Sequence, residues 1–269
     1  MERIDLVILG ATPGEIAPFP VLFKRSISAE IAGNPFSIYN YRDLKLLIMA
    51  TGLGKVNAAA ISAAVLSRFR AGEVWNVGCA GAYLGSGLEI GDVLISESCI
   101  CADEGILGKD GPMPAGSLEI PLVVKNGQPF YDCFPLGEAL SRRRVPVLLP
   151  AGAFDAGPSE GFQRGDAGGA AGTRSGFGIQ YGPSLTVGMA SGDIQTADAR
   201  FRRFRALAEN MEGSAIAQTC LLLDVPFLEL RGISNIAGVR DKTQWDLGAA
   251  IRHCAAVVMR LLDKQAEGD

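Results

Sequence analysis

The sequence has few of the residues that nucleic-acid binding and general-base catalysis usually require. Lysine and arginine (25) are outnumbered by aspartate and glutamate (29), which leaves a net charge of −4. Contact with phosphate backbones depends on clustered basic side chains, so a nucleic-acid partner is not expected. The one histidine, His253, lies among Ala, Val and Cys. We expect it to pack in the core rather than to act as a base.

Long hydrophobic runs are also absent. No stretch approaches the roughly 20 consecutive apolar residues that a membrane-spanning helix needs. The N-terminus, Met1-Glu2-Arg3-Ile4, leads directly into a strand pattern. These features predict a cytoplasmic protein that does not contact membranes.

Motifs for metals and common cofactors are incomplete. Gly52-Leu53-Gly54-Lys55 resembles part of a phosphate-binding loop, but Met49 and Val56 stand where that motif requires Gly and Ser or Thr. A dinucleotide fingerprint is excluded because no third glycine opens the following helix. We therefore expect no cofactor and no metal. The cysteines lack paired zinc-site spacing, which favours reduced core thiols, and they are Cys79, Cys99, Cys101, Cys133, Cys220 and Cys254.

The composition, with 48% hydrophobic and 20% charged residues in a chain of 269, is that of a globular domain. Apolar runs that end in glycine or polar residues alternate with helical patterns. This alternation predicts an α/β fold in a single domain, 1–269, with a central mixed, mostly parallel, twisted sheet flanked by helices. The predicted strands are 4–10, 44–51, 74–77, 91–97, 184–190 and 227–233, and the predicted helices are 56–69, 196–208 and a segment after Glu212.

The pattern is interrupted by a glycine- and proline-rich insertion at about 108–182. Within it, 152–178 is so rich in Gly, Ser, Ala and Pro that no stable helix or strand is expected. Such a segment is either a lid over the site, with Phe154 and Phe177, or disordered. Four arginines follow in the helix 196–208, and we expect them to form a solvated face: Arg200, Arg202, Arg203 and Arg205.

Polar residues follow several of the predicted strands at the points where these end. Glu15 follows the first strand, a run of small residues at 78–82 follows the third, and Asn235 follows the strand 227–233. Glu212 opens a helix of small residues. Because α/β sheets bind ligands at the carboxyl ends of their strands, these groups are predicted to meet around one small molecule.

Together these segments resemble the nucleoside phosphorylase and nucleosidase superfamily, in particular its branch of methylthioadenosine/S-adenosylhomocysteine nucleosidases and futalosine hydrolases. No single segment is specific, but five occur in the order of that family. They are Gly10-Ala11 with Glu15, the segment from Thr51 to Asn57, Gly78-Cys79-Ala80-Gly81, Gly91-Asp92-Val93, and Met211-Glu212 leading to Ser234-Asn235.

The resemblance implies a role for each candidate residue. Glu15 would activate the attacking water, Glu212 would bind the ribose hydroxyls, and Met211 would pack under the sugar. Cys79-Ala80-Gly81 would line the sugar and the base, and Asn235 would lie at N7 of the purine. The resemblance also implies a homo-oligomer, a dimer or larger, whose subunits complete each other's sites.

Asn235 departs from the adenine-specific nucleosidases, which have an aspartate at this point. An amide has both a donor and an acceptor, so it can bind N7 and O6 of a 6-oxopurine. This favours hypoxanthine as the leaving base and futalosine, an intermediate of menaquinone biosynthesis, as the substrate. Asn76 occupies a position where related phosphorylases have a phosphate-binding arginine, and this favours water over phosphate as the nucleophile.

The carboxylate of such a substrate requires a cationic partner. Arg240, followed by Asp241, Lys242 and Trp245, is one candidate, and an exposed surface loop is an equal alternative. Other functions remain open as well: a methylthioadenosine or aminofutalosine nucleosidase, a purine nucleoside phosphorylase, or a nucleoside-binding sensor without activity. A nicotinamide-dependent dehydrogenase is disfavoured because the glycine fingerprint is missing.

Overall fold

The structure, a computed structural model, describes residues 1–20, 23–109, 111–136, 148–150 and 176–267. The described helices are α1 (Pro13–Ile16), α2 (Lys55–Arg68), α3 (Ile194–Phe204), α4 (Gly213–Leu223) and α5 (Leu247–Glu267), with 3₁₀ turns at Ala115–Leu118 and Lys242–Gln244. The described strands are β1 (Glu2–Ile4), β2 (Leu6–Gly10), β3 (Lys24–Ile31), β4 (Asn34–Tyr41), β5 (Leu44–Ala50), β6 (Phe69–Ala71), β7 (Val74–Ala82), β8 (Val93–Cys101), β9 (Gly105–Gly108), β10 (Gly111–Pro114), β11 (Val123–Lys125), β12 (Gln128–Phe130), β13 (Cys133–Pro135), β14 (Leu148–Pro150), β15 (Gly176–Thr186), β16 (Ala208–Asn210) and β17 (Phe227–Ile236).

One large mixed sheet organises the protein. Its strands follow the order β13-β8-β15-β16-β7-β2-β5-β4-β3, β14 pairs with β15, and β17 pairs with both β7 and β8. The central run β5-β2-β7-β17 is parallel, while antiparallel pairs join β17 to β8 and β16 to β7. The pairing closes five strands into a ring: β8, β15, β16, β7 and β17. Several strand ends therefore converge on one side of this ring.

The central strands form because their sequences are continuous apolar runs. All five residues of β2 are buried, as are four consecutive residues of β5, Leu46–Met49. Burial on both faces is typical of parallel strands covered by helices. Helix α5 covers β17, and α2 packs against α4. The α/β fold class with a mixed sheet flanked by helices is confirmed.

The predicted insertion at 108–182 lies partly outside the described residues, as does most of the predicted lid at 152–178, including Phe154. The parts that the structure describes carry short strands, β10 to β14, before the longer β15. Strand β15 begins at Gly176, so the prediction that no strand forms in 152–178 is wrong at its C-terminal end. Glycine is disfavoured in strands, but residues 176–178 pair with β14, and the next eight residues of β15 pair with β8, which stabilises the strand.

In the described ranges, no helix combines the length and the hydropathy needed to cross a membrane.

Candidate active site

Glu15 is held at the end of β2 by the first turn of α1. Thr12 caps this helix, and its hydroxyl accepts a hydrogen bond from the Glu15 N–H at 3.4 Å. In return, Glu15 Oε2 accepts from the Thr12 N–H at 2.9 Å, which completes a capping box. Glu15 Oε1 accepts from the Cys79 N–H of β7 at 2.8 Å. Both oxygens are therefore fixed between β2 and β7.

Glu212 lies between β16 and α4, and it is 3% exposed. Its Oε1 accepts a hydrogen bond from the Gly54 N–H at 2.9 Å. Burial raises the pKa of Glu212 above its ordinary value, against the opposing effects of the Arg231 charge and the Gly54 N–H. The Gly-Leu-Gly segment therefore uses its backbone to hold a carboxylate.

Lys55, the lysine of that segment, is engaged elsewhere. Its Nζ lies 2.6 Å from Asp103 Oδ1 and 3.1 Å from Glu104 Oε1. Burial alone lowers the pKa of Lys55, but Asp103, Cys101 and Glu104 together raise it above its ordinary value. The ammonium group is thus neutralised away from Glu212.

A buried ion pair below the site was missed by sequence reasoning. Arg231 Nη2 donates to Glu229 Oε2 at 2.9 Å, and both residues are 0% exposed. Arg231 Nη1 faces Glu212 Oε2 at 3.7 Å. The available signal was the spacing of these charges: Glu229 and Arg231 stand two apart in an apolar strand, so they share one face.

Glu229 is stabilised by many donors. Burial alone raises its pKa, but the Arg231 charge and several side-chain hydrogen bonds outweigh this effect, so the pKa of Glu229 lies below its ordinary value. A carboxylate with so many donors stays ionised and fixes Arg231 in place. The donors are Asn76 Nδ2, Ser96 Oγ, Cys99 Sγ, Ser184 Oγ, Asn210 Nδ2 and Arg231 Nη2.

Asn235 lies at the tip of β17, directly beside Gly81 of β7. The register of this pair shifts between Ile233 and Asn235, and such irregularities re-aim side chains near the ends of strands. Asn235 Nδ2 donates to Ile236 O at 2.9 Å, and Oδ1 accepts from Ser234 Oγ at 2.8 Å. One N–H and one lone pair of the amide remain for a ligand.

All eight predicted site residues line a single cavity at these strand ends. They are Glu15, Cys79, Ala80, Gly81, Met211, Glu212, Asn235 and Arg240. The cavity runs from the two carboxylates to a loop that carries Arg240 and Trp245. The structure therefore brings together residues that are more than 200 positions apart in sequence, while their individual roles remain predictions.

The two ends of the cavity differ in chemistry. Beside Glu15, burial and then the charge of Glu15 raise the pKa of the Cys79 thiol, which keeps it protonated and unsuited to nucleophilic attack. At the other end the Arg240 guanidinium lies 5.2 Å from the ring centroid of Trp245. Trp245 Nε1 donates to Val239 O at 3.0 Å, which orients the ring under the arginine.

Glu209 is a further carboxylate of the cavity wall that sequence reasoning did not identify. Arg200 Nη1 lies 3.2 Å from Glu209 Oε2. The prediction that Arg200 belongs to a solvated face is therefore wrong, because this buried carboxylate draws its side chain inward. Arg202 of the same helix is exposed and pairs with Asp198 at 2.9 Å, as expected for a solvated position.

His253 stacks on Phe177 with ring centroids 4.1 Å apart, and its Nδ1 lies 2.6 Å from Gly91 O. Burial lowers its pKa below the ordinary value. All six cysteines are free thiols. Within the described part of the chain, no group of three or more His, Cys, Asp or Glu side chains is arranged to hold a metal ion.

Comparison with known proteins identifies the family. The family model of the phosphorylase superfamily matches residues 5–264. The futalosine hydrolase of Thermus thermophilus is 33% identical over 238 residues, which cover 87% of this chain and 90% of the relative. The 5′-methylthioadenosine/S-adenosylhomocysteine nucleosidase of Oceanobacillus iheyensis is 26% identical over 264 residues, covering 96% and 98%.

The fold has close counterparts among solved structures. The native structure of the futalosine hydrolase of Helicobacter pylori superposes with a TM-score of 0.73 at 20% identity, covering 97% of this chain and 98% of that one. At such identity the likeness supports the fold alone. Taken with the family model and the relatives, it leads to the conclusion that the chain belongs to the phosphorylase superfamily, as an N-glycosyl hydrolase.

Proposed function

We propose that the protein hydrolyses the N-glycosidic bond of futalosine and releases hypoxanthine and dehypoxanthine futalosine, a reaction of menaquinone biosynthesis. The observation that carries this proposal is the presence of Asn235, an amide, in the same cavity as the carboxylates of Glu15 and Glu212. The 33% identity to the futalosine hydrolase of Thermus thermophilus supports the choice of substrate.

Asn235 selects the leaving base. Its unused N–H donates to O6 of hypoxanthine, and its carbonyl oxygen accepts from N7 when that atom becomes protonated. An amide cannot supply the proton itself, so the proton reaches N7 through water. In the orientation that Ile236 O and Ser234 Oγ hold, the free amide N–H would meet the 6-amino donor that adenine carries in place of O6.

The ribose binds beside Glu212. As the bond from C1′ to N9 stretches, positive charge develops on the sugar, and the Glu212 carboxylate at the 2′ and 3′ hydroxyls stabilises it. The Gly54 N–H and the Arg231 guanidinium hold this carboxylate before substrate arrives. Met211 packs under the sugar, and Cys79-Ala80-Gly81 lines the sugar and the base.

Glu15 takes a proton from the water that attacks C1′. Its oxygens are already held by Thr12 and Cys79 N–H groups. An acceptor positioned in this way keeps its geometry when the water arrives, which lowers the entropic cost of the step.

The charges around Arg231 favour hydrolysis over phosphorolysis. The Arg231 guanidinium interacts electrostatically with three carboxylates, those of Glu229, Glu212 and Glu15. Its charge is therefore already balanced, so Arg231 offers no uncompensated cation to a phosphate dianion at this end of the cavity. Asn76 does not replace the missing cation, because its amide is uncharged and already donates to Glu229 at 2.9 Å.

Arg240 binds the carboxylate at the far end of futalosine. Arg240 is an exposed residue of the cavity lining, and its guanidinium lies over Trp245 at 5.2 Å from the ring centroid, which orients the planar fork before binding. A contact of this kind would let the site distinguish futalosine from inosine, which lacks the carboxylate.

We also propose that the protein assembles as a homo-oligomer, a dimer or larger, in which neighbouring subunits complete each other's cavities. This follows from the family resemblance. A sedimentation experiment that finds only monomers at the concentration of the activity assay would contradict it.

The substrate is tested by incubating the purified protein, without phosphate, with futalosine, aminofutalosine, inosine and methylthioadenosine. Chromatography follows the released base. We expect hypoxanthine from futalosine. Adenine from methylthioadenosine, with futalosine unchanged, would instead identify a methylthioadenosine nucleosidase. Base release that begins only when phosphate is added would identify a phosphorylase.

A further inference from the structure

Glu209 and Asn235 flank the same glycine. Gly81 of β7 pairs with Glu209 of β16 on one side and with Asn235 of β17 on the other. Residues in register on neighbouring strands project from the same face of a sheet, and two strand spacings separate their backbones by about 10 Å. A carboxylate and an amide therefore project from one face on either side of a residue without a side chain.

The floor between them is open because residue 81 is glycine. A Cβ at this position would lie 3.2 Å from Asn235 Nδ2 and 3.3 Å from Ala237 Cα, closer than such contacts normally are. Glu209 and Asn235 both line the cavity and are 6% and 8% exposed. A flat base can thus lie over Gly81 with its two polar edges towards these side chains.

The hydrogen bonds of Glu209 leave one acceptor position available. Among the described residues, Oε2 accepts from Tyr83 Oη at 2.9 Å, Ser191 Oγ at 2.7 Å and Arg200 Nη1 at 3.2 Å. Oε1 accepts from the Ser191 N–H at 2.7 Å. Each carboxylate oxygen has two lone-pair sites, so Oε1 can accept one more hydrogen bond.

The donors around Glu209 hold its carboxylate in place. Burial and the neighbouring Glu209 charge raise the pKa of Tyr83 far above its ordinary value, so its hydroxyl keeps the proton that it donates. The Arg200 guanidinium adds a positive charge 3.2 Å from Oε2. These contacts fix the orientation of the Glu209 carboxylate.

We infer that Glu209 is a specificity-determining residue that accepts a hydrogen bond from N1–H of a 6-oxopurine, while Asn235 binds N7 and O6 of the same base. This inference rests on the proposed function and extends it to the other edge of the base. In hypoxanthine N1 carries a hydrogen, whereas in adenine N1 is an acceptor, which would face the carboxylate lone pair. Glu209 therefore both favours hypoxanthine and disfavours adenine.

The test compares Glu209→Gln with the wild type on futalosine and aminofutalosine, which differ at the 6-position of the base. Glutamine is isosteric and can donate to N1 of adenine. We expect the ratio of kcat/KM for futalosine to that for aminofutalosine to fall by about tenfold to a hundredfold, as for the loss of one buried hydrogen bond. Tyr83→Phe is the matched control, because it removes one donor to Glu209 and retains the carboxylate. We expect it to change the ratio less than about threefold.

If Glu209 only stabilised the structure of the cavity, Glu209→Gln would lower the turnover of futalosine and of aminofutalosine by the same factor. An unchanged ratio in Glu209→Gln, or an equal shift of the ratio in Tyr83→Phe, would overturn the inference. The proposed function fails independently, and visibly, if the wild type does not release hypoxanthine from futalosine.

Discussion

Glu15 and Arg231 approach each other over the backbone of Gly78. A Cβ at residue 78 would lie 2.8 Å from Arg231 Nη1 and 3.0 Å from the carboxyl carbon of Glu15. Glycine at this point lets the water-activating carboxylate of the proposed mechanism share one buried guanidinium with Glu212.

Gly78→Ala should therefore lower kcat by at least about tenfold, because the added methyl group displaces Glu15 or Arg231 from its position. Steady-state kinetics on futalosine and thermal unfolding measure the effect. Gly14→Ala is the matched control, since its methyl group would meet only Thr12 Oγ1, at 3.8 Å. Equal kcat values for the two variants would contradict the role given to Gly78.

Glu15→Gln should remove most turnover, by about 10² to 10⁴ in kcat, because an amide cannot accept the proton of water. It should keep much of the affinity for hypoxanthine, since the base contacts lie at Asn235. Single-turnover kinetics measure the chemical step and calorimetry measures hypoxanthine binding. Full activity of this variant would exclude Glu15 as the base.

Arg240→Ala should weaken binding of futalosine, which carries a carboxylate, and leave the KM for inosine nearly unchanged. The expected loss is about tenfold to a hundredfold, typical of a charge-assisted hydrogen bond. Lys242→Ala removes a nearby exposed charge and serves as the control. If Arg240→Ala weakened binding of futalosine and of inosine equally, Arg240 would not be the residue that binds the carboxylate.

The pH dependence of kcat/KM should report the burial of Glu212. Its pKa lies above the ordinary value of 4.5 because burial disfavours the charged form. The ionised form is the active one, so activity is complete well above this raised pKa and is lost as the pH falls through it. The acid limb should therefore lie above pH 4.5. A limb at or below that value would show that Glu212 is not needed as an anion.

Much of the fold could be predicted because its central strands are continuous apolar runs. Strand β5 and helix α2 lie within one residue of their predicted bounds. Strands β3 and β4 were not predicted, since their hairpin turns at Ala32-Gly33 with positive φ at both residues. Alanine is rare in that conformation, so the usual Asn-Gly signal of such a turn is absent.

More of the candidate site could be predicted from the sequence than of the hydrogen-bond network that supports it. Glu15 follows a strand, Glu212 opens a helix and Asn235 lies at the end of a strand, which are positions where α/β folds bind ligands. Glu229 and Arg231 lie inside a strand, and their importance depends on donors from four other strands. Arg200 was predicted to be exposed because the sequence does not show that its partner Glu209, nine residues further along, is buried.

Selection of a 6-oxopurine by the amide at position 235 can be measured with the variant Asn235→Asp. We would measure kcat/KM for futalosine and aminofutalosine in the wild type and in this variant. We expect the wild type to prefer futalosine and Asn235→Asp to lower this preference by at least about tenfold, because a protonated aspartate can donate to N7 and accept from a 6-amino group. An unchanged preference in Asn235→Asp, or a wild type that prefers aminofutalosine, would contradict this selection.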